Sequence, residues 1–143
     1  MPDSNPVAPA ETIQPEVLIS HAIEAARRAY APYSNFRVGA ALLDDQGHIH
    51  YGCNVENAAY GPTNCAERTA LFRAIADGNA PKSFKAMAVV GDTPGPISPC
   101  GICRQVISEL CAPDMPVILA NTAGTYAVTN IAELLPGAFQ LEP

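Results

Sequence analysis

Residues 98–105 read SPCGICRQ, which places two cysteines three positions apart directly after a proline. Residues i and i+3 lie on one face of a helix, so Cys100 and Cys103 can point at a common atom if a helix begins here. By itself the CxxC spacing fits a metal site, a redox pair or no function at all. Residues elsewhere in the chain must decide between these three interpretations.

Apolar periodicity predicts three principal helices, one of which begins at the CxxC. The clearest of them covers residues 64–78, NCAERTALFRAIADG, with Asn64 as the N-cap and Gly78 as the stop. Another helix is expected over residues 15–30, because its first residue is a proline and prolines suit the first helical position.

Apolar and β-branched runs between turn residues predict the strands. Residues 36–55, FRVGAALLDDQGHIHYGCNV, indicate a hairpin around a turn at residues 44–47. Further strands are expected at residues 84–92, 116–121 and 125–130, and a short helix at residues 131–137. Strands and helices that alternate in this way, with crossovers of about ten or more residues, indicate an α/β fold whose mixed sheet has helices on its faces.

The chain is long enough for one sizeable core and short for two domains. It has 143 residues, of which 48% are hydrophobic. Residues 1–14 hold three prolines and little apolar periodicity, so we expect a disordered N-terminal tail there. Residues 15–143 are expected to form a single domain.

Composition argues against several classes of protein. No window approaches the roughly 18 to 20 apolar residues of a membrane span, and the N-terminus lacks the features of a signal peptide, which favours a cytoplasmic protein without a membrane partner. The formal charge is −6 and the eight basic residues form no stripe, which argues against nucleic acid as a partner. Because a cytoplasmic location keeps thiols reduced, we expect the five cysteines to be available for metal binding or catalysis.

Cys65 adds a third thiol to the two of the CxxC. It lies in the first turn of one predicted helix, while Cys100 and Cys103 lie in the first turn of another. The partial positive charge of a helix N-terminus stabilises thiolates, so all three sulfurs are predisposed to bind a metal if the two helix starts converge. Three thiolates on Zn²⁺ leave a fourth position for water, which distinguishes catalytic zinc from closed structural zinc.

Two charged residues follow Cys65 and suit such a site. Glu67 is two residues further on and does not share a helix face with Cys65, so it is badly placed as a fourth ligand. It can instead serve as general acid and base beside the metal-bound water. Arg68 can donate to the thiolate sulfurs and offset their excess negative charge.

Two other interpretations of the cysteines stay open at this stage. A redox pair would stand unusually late in the chain and would leave Cys65 and Glu67 without a role. A closed structural zinc needs a fourth ligand, for which spacing permits three candidates: Cys53, His48 and His50. Cys111 is poorly placed, because it lies about two turns past Cys103 and is rotated by roughly 80°. The simpler expectation is that two cysteines are buried and three histidines are exposed: Cys53, Cys111, His21, His48 and His50.

The pattern C-A-E at residues 65–67 with P-C-x-x-C at residues 99–103 resembles the signature of the zinc-dependent cytidine deaminases. Further segments are similar to the small three-cysteine members of that family: YAPYSNFRVGAAL (30–42), GCNVENAAYG (52–61), CAERTALFRAI (65–75), PCGICRQV (99–106) and LLPGAF (134–139). The resemblance covers roughly residues 15–140, which is nearly all of the expected domain.

This resemblance implies a three-layer α/β/α fold with a central mixed five-stranded sheet. It implies zinc-dependent hydrolysis of cytidine and 2′-deoxycytidine to the uridines with release of ammonia, as in pyrimidine salvage. One Zn²⁺ per subunit would be bound by Cys65, Cys100 and Cys103, and Glu67 would carry a proton from the water to N3 of the base.

The resemblance also assigns a nucleoside pocket. Asn54 and Glu56 would hold the sugar 3′-hydroxyl, Phe36 would pack against the base, and the Ala66 N–H would meet the base carbonyl. Tyr60 and Phe139 would reach the active site of a neighbouring subunit in a homotetramer. Two alternatives remain, a deaminase of a modified cytosine nucleoside such as blasticidin S and a closed structural-zinc interaction module.

Overall fold

A computed structural model of the chain describes residues 14–141. Its elements follow in the order α1 (Pro15–Ala26), β1 (Val38–Asp44), β2 (Ile49–Cys53), α2 (Ala66–Ala76), β3 (Phe84–Gly91), α3 (Gly101–Leu110), β4 (Val117–Asn121), β5 (Tyr126–Thr129) and α4 (Ile131–Leu134). Apart from its last residue, the tail predicted over residues 1–14 lies outside the described residues. Within the described range, no helix is both long enough and apolar enough to cross a membrane.

The five strands form one mixed sheet in the order β2-β1-β3-β4-β5. β1 runs antiparallel to β2 and β3, β3 runs parallel to β4, and β4 runs antiparallel to β5. A buried core on one face lies beneath α1, and a second core on the other face includes side chains of α2, α3 and α4. The three-layer α/β/α fold with a mixed five-stranded sheet is therefore confirmed.

Two glycines let the helices lie unusually close to the sheet. A Cβ atom at Gly39 of β1 would stand 2.0 Å from the Ala22 carbonyl oxygen of α1. A Cβ atom at Gly52 of β2 would stand 2.2 Å from the Ala66 carbonyl oxygen, at the start of α2. No real Cβ tolerates such distances to backbone atoms, so both positions require glycine. The contact at Gly52 fixes where α2 begins.

Three predicted helix boundaries are wrong: α4 ends at Leu134 and not at residue 137, and backbone pairing explains the other two. α1 ends at Ala26 and not at Tyr30, because the Tyr30 N–H donates to the Asn54 carbonyl and the chain there runs beside Val55. Asn64 is not the N-cap of α2, because its backbone forms an antiparallel bridge with Val55. Its place is taken by Cys65, which is the N-cap.

The prediction that the histidines are exposed is wrong for His50. Its side chain is buried against Asp44, which lies 2.9 Å from its Nε2 atom, and the two residues tie β1 to β2. Burial alone would raise the pKa of Asp44, but hydrogen bonds from His50 and from the backbone N–H groups of His48 and Gln46 outweigh it and hold the pKa below its usual value. The short hairpin turn brings these groups together, which spacing alone does not reveal.

The remaining expectations about these residues have mixed outcomes. Cys111 is buried as expected, whereas Cys53 is half-buried. His21 and His48 are also half-buried, and His21 Nδ1 lies 2.6 Å from the Tyr51 hydroxyl. Among the described residues, one cluster of side chains could bind a metal ion, and it contains neither Cys53, Cys111 nor any histidine.

Candidate active site

Three cysteine sulfurs converge where α2 and α3 begin. Cys65 is the N-cap of α2, Cys100 is the N-cap of α3, and Cys103 lies in the first turn of α3. The sulfur atoms all lie within 4.8 Å of one another, and those of Cys65 and Cys100 are 3.9 Å apart. Tetrahedral zinc with Zn–S bonds of about 2.3 Å requires sulfurs about 3.8 Å apart. The Cys65 and Cys100 sulfurs therefore already stand at the separation that zinc requires, and the Cys103 sulfur lies close enough to join them.

The surroundings of the three cysteines favour negative charge on sulfur. Both helix N-termini direct partial positive charge at them, and the Arg68 Nη2 atom donates to the Cys65 sulfur across 3.2 Å. Hydrogen bonding to Cys103, aided by Arg68, lowers the pKa of Cys65 well below that of a free thiol. The same pairing with Cys65, together with burial, raises the pKa of Cys103. A bound cation would displace the thiol protons.

Glu67 is a buried carboxyl beside the sulfurs. It lies in the first turn of α2, and only 4% of its surface is exposed. Burial penalises the charged carboxylate and raises the pKa of Glu67 to about 7, and the negative charge of Cys65 contributes in the same direction. A carboxyl that titrates near neutral pH can both accept and release a proton during one reaction.

The start of α2 is held by more than its cap. The Cys65 side chain makes no capping hydrogen bond. Instead, the Thr69 hydroxyl donates to the Cys65 carbonyl, the Asn64 side chain donates to Thr69, and Gly52 supports the helix from the sheet. Neither Thr69 nor Gly52 was predicted to support the start of α2, although both lie within the quoted segments 65–75 and 52–61.

A cavity of about 280 Å³ lies next to Glu56. Its lining consists of Tyr33, Ser34, Glu56, Asn57, Tyr60 and Thr63. The Glu56 carboxylate accepts hydrogen bonds from the Ser34 hydroxyl and from the backbone N–H groups of Tyr33 and Ser34, and these lower the pKa of Glu56. The carboxylate is thus ionised and held in a fixed orientation. Four lining residues were missed: Tyr33, Ser34 and Asn57, which lie inside the quoted segments 30–42 and 52–61, and Thr63, which lies outside every quoted segment.

Asn54 and Phe36 are linked through the backbone. The Asn54 side chain is buried, its carbonyl oxygen accepts from the Val38 N–H, and its amide donates to the Phe36 carbonyl. The Phe36 ring remains partly exposed and rests against Gly91, where a Cβ atom would stand 3.0 Å from the ring. Asn54 therefore sets the position of Phe36 at the end of β3.

The other predicted site residues differ in how exposed they are to solvent. Ala66 is buried as the first residue of α2, directly after Cys65. Tyr60 lines the cavity with a positive φ of 63° and is 74% exposed. Phe139 is 68% exposed, lies outside the cavity lining and is held through its carbonyl by the Gln105 side chain across 3.1 Å.

A zinc site of three thiolates beside a buried, proton-carrying carboxyl, in an α/β/α fold, defines a zinc hydrolase. Residues 12–119 match the family model of the cytidine and deoxycytidylate deaminase zinc-binding region. The chain is 58% identical over 127 residues to the cytidine deaminase of Sporosarcina psychrophila, which covers 89% of this chain and 92% of that protein. It belongs to the cytidine and deoxycytidylate deaminase family.

Solved structures agree with this assignment. The crystal structure of cytidine deaminase from Burkholderia pseudomallei superposes with a TM-score of 0.87 at 56% identity, covering 89% of this chain and all of that one. The corresponding structure from Mycobacterium tuberculosis gives a TM-score of 0.76 at 36% identity, covering 91% of this chain and all of that one. The family resemblance and the zinc cofactor expected from the sequence are thereby confirmed.

Replacing one cysteine of the cluster should remove the metal. In Cys100→Ser we expect zinc affinity to fall by more than about 100-fold, the upper end of the loss caused by removing an outer-sphere partner, because a ligand itself is lost. Metal analysis of the purified protein measures the effect. Cys53→Ser is the matched control, a half-buried cysteine outside the cluster, and should retain about one zinc per chain. Loss of zinc in Cys53→Ser would instead indicate a closed four-ligand site.

Proposed function

We propose that this chain catalyses the hydrolytic deamination of cytidine and 2′-deoxycytidine to uridine and 2′-deoxyuridine, with release of ammonia. The observation that carries the proposal is the convergence of the three thiols at two helix N-termini with Glu67 buried beside them. Family membership supports the same reaction. A role in pyrimidine salvage in the cytoplasm, where thiols stay reduced, accords with this chemistry.

Zinc bound by Cys65, Cys100 and Cys103 would supply an acidified water at neutral pH. Glu67 accepts a proton from water in its ionised form and donates it to N3 of the base in its neutral form. Protonation at N3 makes C4 of the base more electrophilic. The oxygen of that water adds to C4, and its remaining proton passes through Glu67 to the amine, which leaves as ammonia while the C4 carbonyl forms. A pKa of about 7 leaves both forms of this carboxyl populated, as the sequence of transfers requires.

Removing this proton carrier should abolish turnover and keep the metal. In Glu67→Gln we expect kcat for cytidine to fall by about 10² to 10⁴-fold or more, since general acid–base catalysis typically contributes that much. Ultraviolet-monitored turnover and metal analysis on the same sample separate the two effects. Glu109→Gln, an exposed position on α3, is the control and should keep full activity. Undiminished turnover in metal-replete Glu67→Gln would contradict the mechanism.

The sugar is proposed to lie in the cavity beside Glu56. The ionised carboxylate of Glu56, held by the Ser34 hydroxyl and by two backbone N–H groups, can accept a hydrogen bond from the 3′-hydroxyl. The same charge repels a phosphate at that position, which favours a free nucleoside over a nucleotide or polynucleotide. Asn54 is proposed to hold the same 3′-hydroxyl, and its amide donates to the Phe36 carbonyl. The Phe36 ring would pack on the base, and the Ala66 N–H would meet the base carbonyl.

A substrate that lacks the 3′-hydroxyl tests this assignment. We expect Glu56→Gln to lower kcat/KM for cytidine by about 10 to 100-fold, because a charge-assisted hydrogen bond of about 1.5 to 3 kcal/mol is lost. With 3′-deoxycytidine the variant and the unchanged protein should differ little, since neither can form that bond. Equal losses with both substrates would show that Glu56 acts by another route.

Tyr60 and Phe139 are proposed to complete the active site of a neighbouring copy in a homotetramer. Both are aromatic and largely exposed, at 74% and 68%, although an aromatic side chain gains by burial. The Phe139 backbone is fastened to α3 by Gln105, so the ring is presented on a supported segment. A neighbouring subunit's pyrimidine is the proposed contact of the Phe139 ring.

Subunit mixing tests whether sites are shared. Phe139→Ala keeps Glu67 and Glu67→Gln keeps Phe139, so a hybrid assembly contains sites that have both groups intact. After joint refolding we expect activity well above the mean of the two parent variants, and light scattering should give a tetramer. A monomeric mass, or activity equal to that mean, would contradict composite sites.

A further inference from the structure

Arg104, the residue directly after Cys103, joins three separate parts of the chain. Its Nε atom donates to the Pro99 carbonyl across 2.9 Å, its Nη2 atom to the Ser98 hydroxyl across 2.8 Å, and its Nη1 atom to the Leu134 carbonyl across 2.8 Å. Ser98 and Pro99 end the loop that leads to Cys100, and Leu134 is the last residue of α4. Each of the three guanidinium nitrogens therefore donates a hydrogen bond to the loop or to α4.

The loop before Cys100 is bonded to the sheet near its start, where the Asn121 side chain donates to the Thr93 and Pro94 carbonyls, but its last residues have little other support. Cys100 is the most exposed of the three clustered cysteines, and its side chain makes no capping hydrogen bond to α3. The loop of residues 92–99 contains three prolines, which lack the N–H groups that could bond it to the sheet. Its last backbone bond to the sheet is from the Ile97 N–H to the Ala120 carbonyl. Between that bond and Cys100, the contacts of Arg104 hold the chain.

The corresponding support at Cys65 is of another kind. There the hydroxyl of Thr69 and the bridge between Asn64 and Val55 hold the backbone, and Gly52 lets α2 rest on the sheet. The two arms of the site thus reach the same place by different means. The arm at Cys65 is fixed by the sheet, whereas the arm at Cys100 is fixed by one side chain from its own helix.

We infer that Arg104 is a positioning residue that fixes the Cys100 sulfur in the metal site and ties that position to the C-terminal segment through Leu134. Outer-sphere groups that orient metal ligands typically change affinity by about 10 to 100-fold when they are removed. Gln105, its neighbour, donates to the Phe139 carbonyl and thus supports the same segment. The inference rests on the proposed metal site and is independent of the substrate.

Arg104→Met keeps the length of the side chain and removes all of its donors. We expect this variant to release zinc to a chromogenic chelator at least about tenfold faster than the unchanged protein. With Co²⁺ in place of zinc, its thiolate-to-metal absorption band should shift or weaken. Arg104→Lys keeps the positive charge without the fork and should not restore the slow release. Full restoration by lysine would show that charge alone matters and would overturn the inference.

Two controls separate positioning from general stability. Asn130→Ala removes the side chain that caps α4 by accepting from the Glu133 N–H, so it should lower the melting temperature and leave zinc release and the cobalt spectrum unchanged. Arg27→Met removes an exposed arginine of comparable size on the far face of the sheet and should change neither. Equal acceleration of zinc release in Asn130→Ala and Arg104→Met would overturn the inference.

Ser98→Ala provides a second route if Arg104→Met does not fold. It deletes one of the three acceptors and should speed zinc release by a smaller factor than full removal of the guanidinium, with the fold intact. Unchanged release in both Ser98→Ala and a folded Arg104→Met, or in Ser98→Ala alone if Arg104→Met does not fold, would overturn the inference while the proposed function stands. If the unchanged protein binds no zinc, the proposed function and this inference both fail, so the two failures are distinguishable.

Discussion

The first turn of α2 lies against β2 with no space for a side chain between them. Gly52 makes this contact possible, since any Cβ there would collide with backbone atoms of Ala66 and Ala70. The constraint fixes the start of the helix relative to the sheet, and with it three groups of the N-cap and first turn: the Cys65 thiol, the Glu67 carboxyl and the Arg68 guanidinium. Only the Cys100 arm then has to be brought to them, and it follows from β3 at the centre of the sheet.

Electrostatics explains why these groups are useful together. Three thiolates would overcompensate the charge of one divalent cation, and Arg68 with two helix N-termini draws some of that negative charge away. The same burial that strengthens these interactions raises the pKa of Glu67 to about 7. A site built on the wet surface could not provide this, because water would screen the charges and leave the carboxyl fully ionised.

The sequence predicted the elements whose signals are local and missed the features that arise from contacts between distant segments. The helical spacing after Cys65 and Cys100 and the alternation of the hairpin are properties of short windows, so they could be read correctly. The burial of His50 depends on Asp44 across the hairpin, and the end of α1 depends on pairing between Tyr30 and Asn54. Such pairing has no signature in either segment alone.

The candidate site shows the same division. Motif resemblance indicated the cysteines and the residues of the proposed nucleoside pocket, but it gave no reason for the fixed orientation of Glu56 by Ser34, 22 residues away. Arg104 could be noticed only as a neighbour of Cys103, since its partners lie in the loop before Cys100 and at the end of α4. Hydrogen bonds to backbone carbonyls leave no trace in the identity of the accepting residue, because every residue carries a carbonyl.

We expect the three thiolates to leave one zinc position open to water. Zinc K-edge X-ray absorption of the purified protein measures the ligand set directly. We expect three sulfur neighbours at about 2.3 Å and one oxygen neighbour near 2.0 Å from zinc. Four sulfurs, or three sulfurs with an imidazole nitrogen, would show a closed structural site and contradict this expectation.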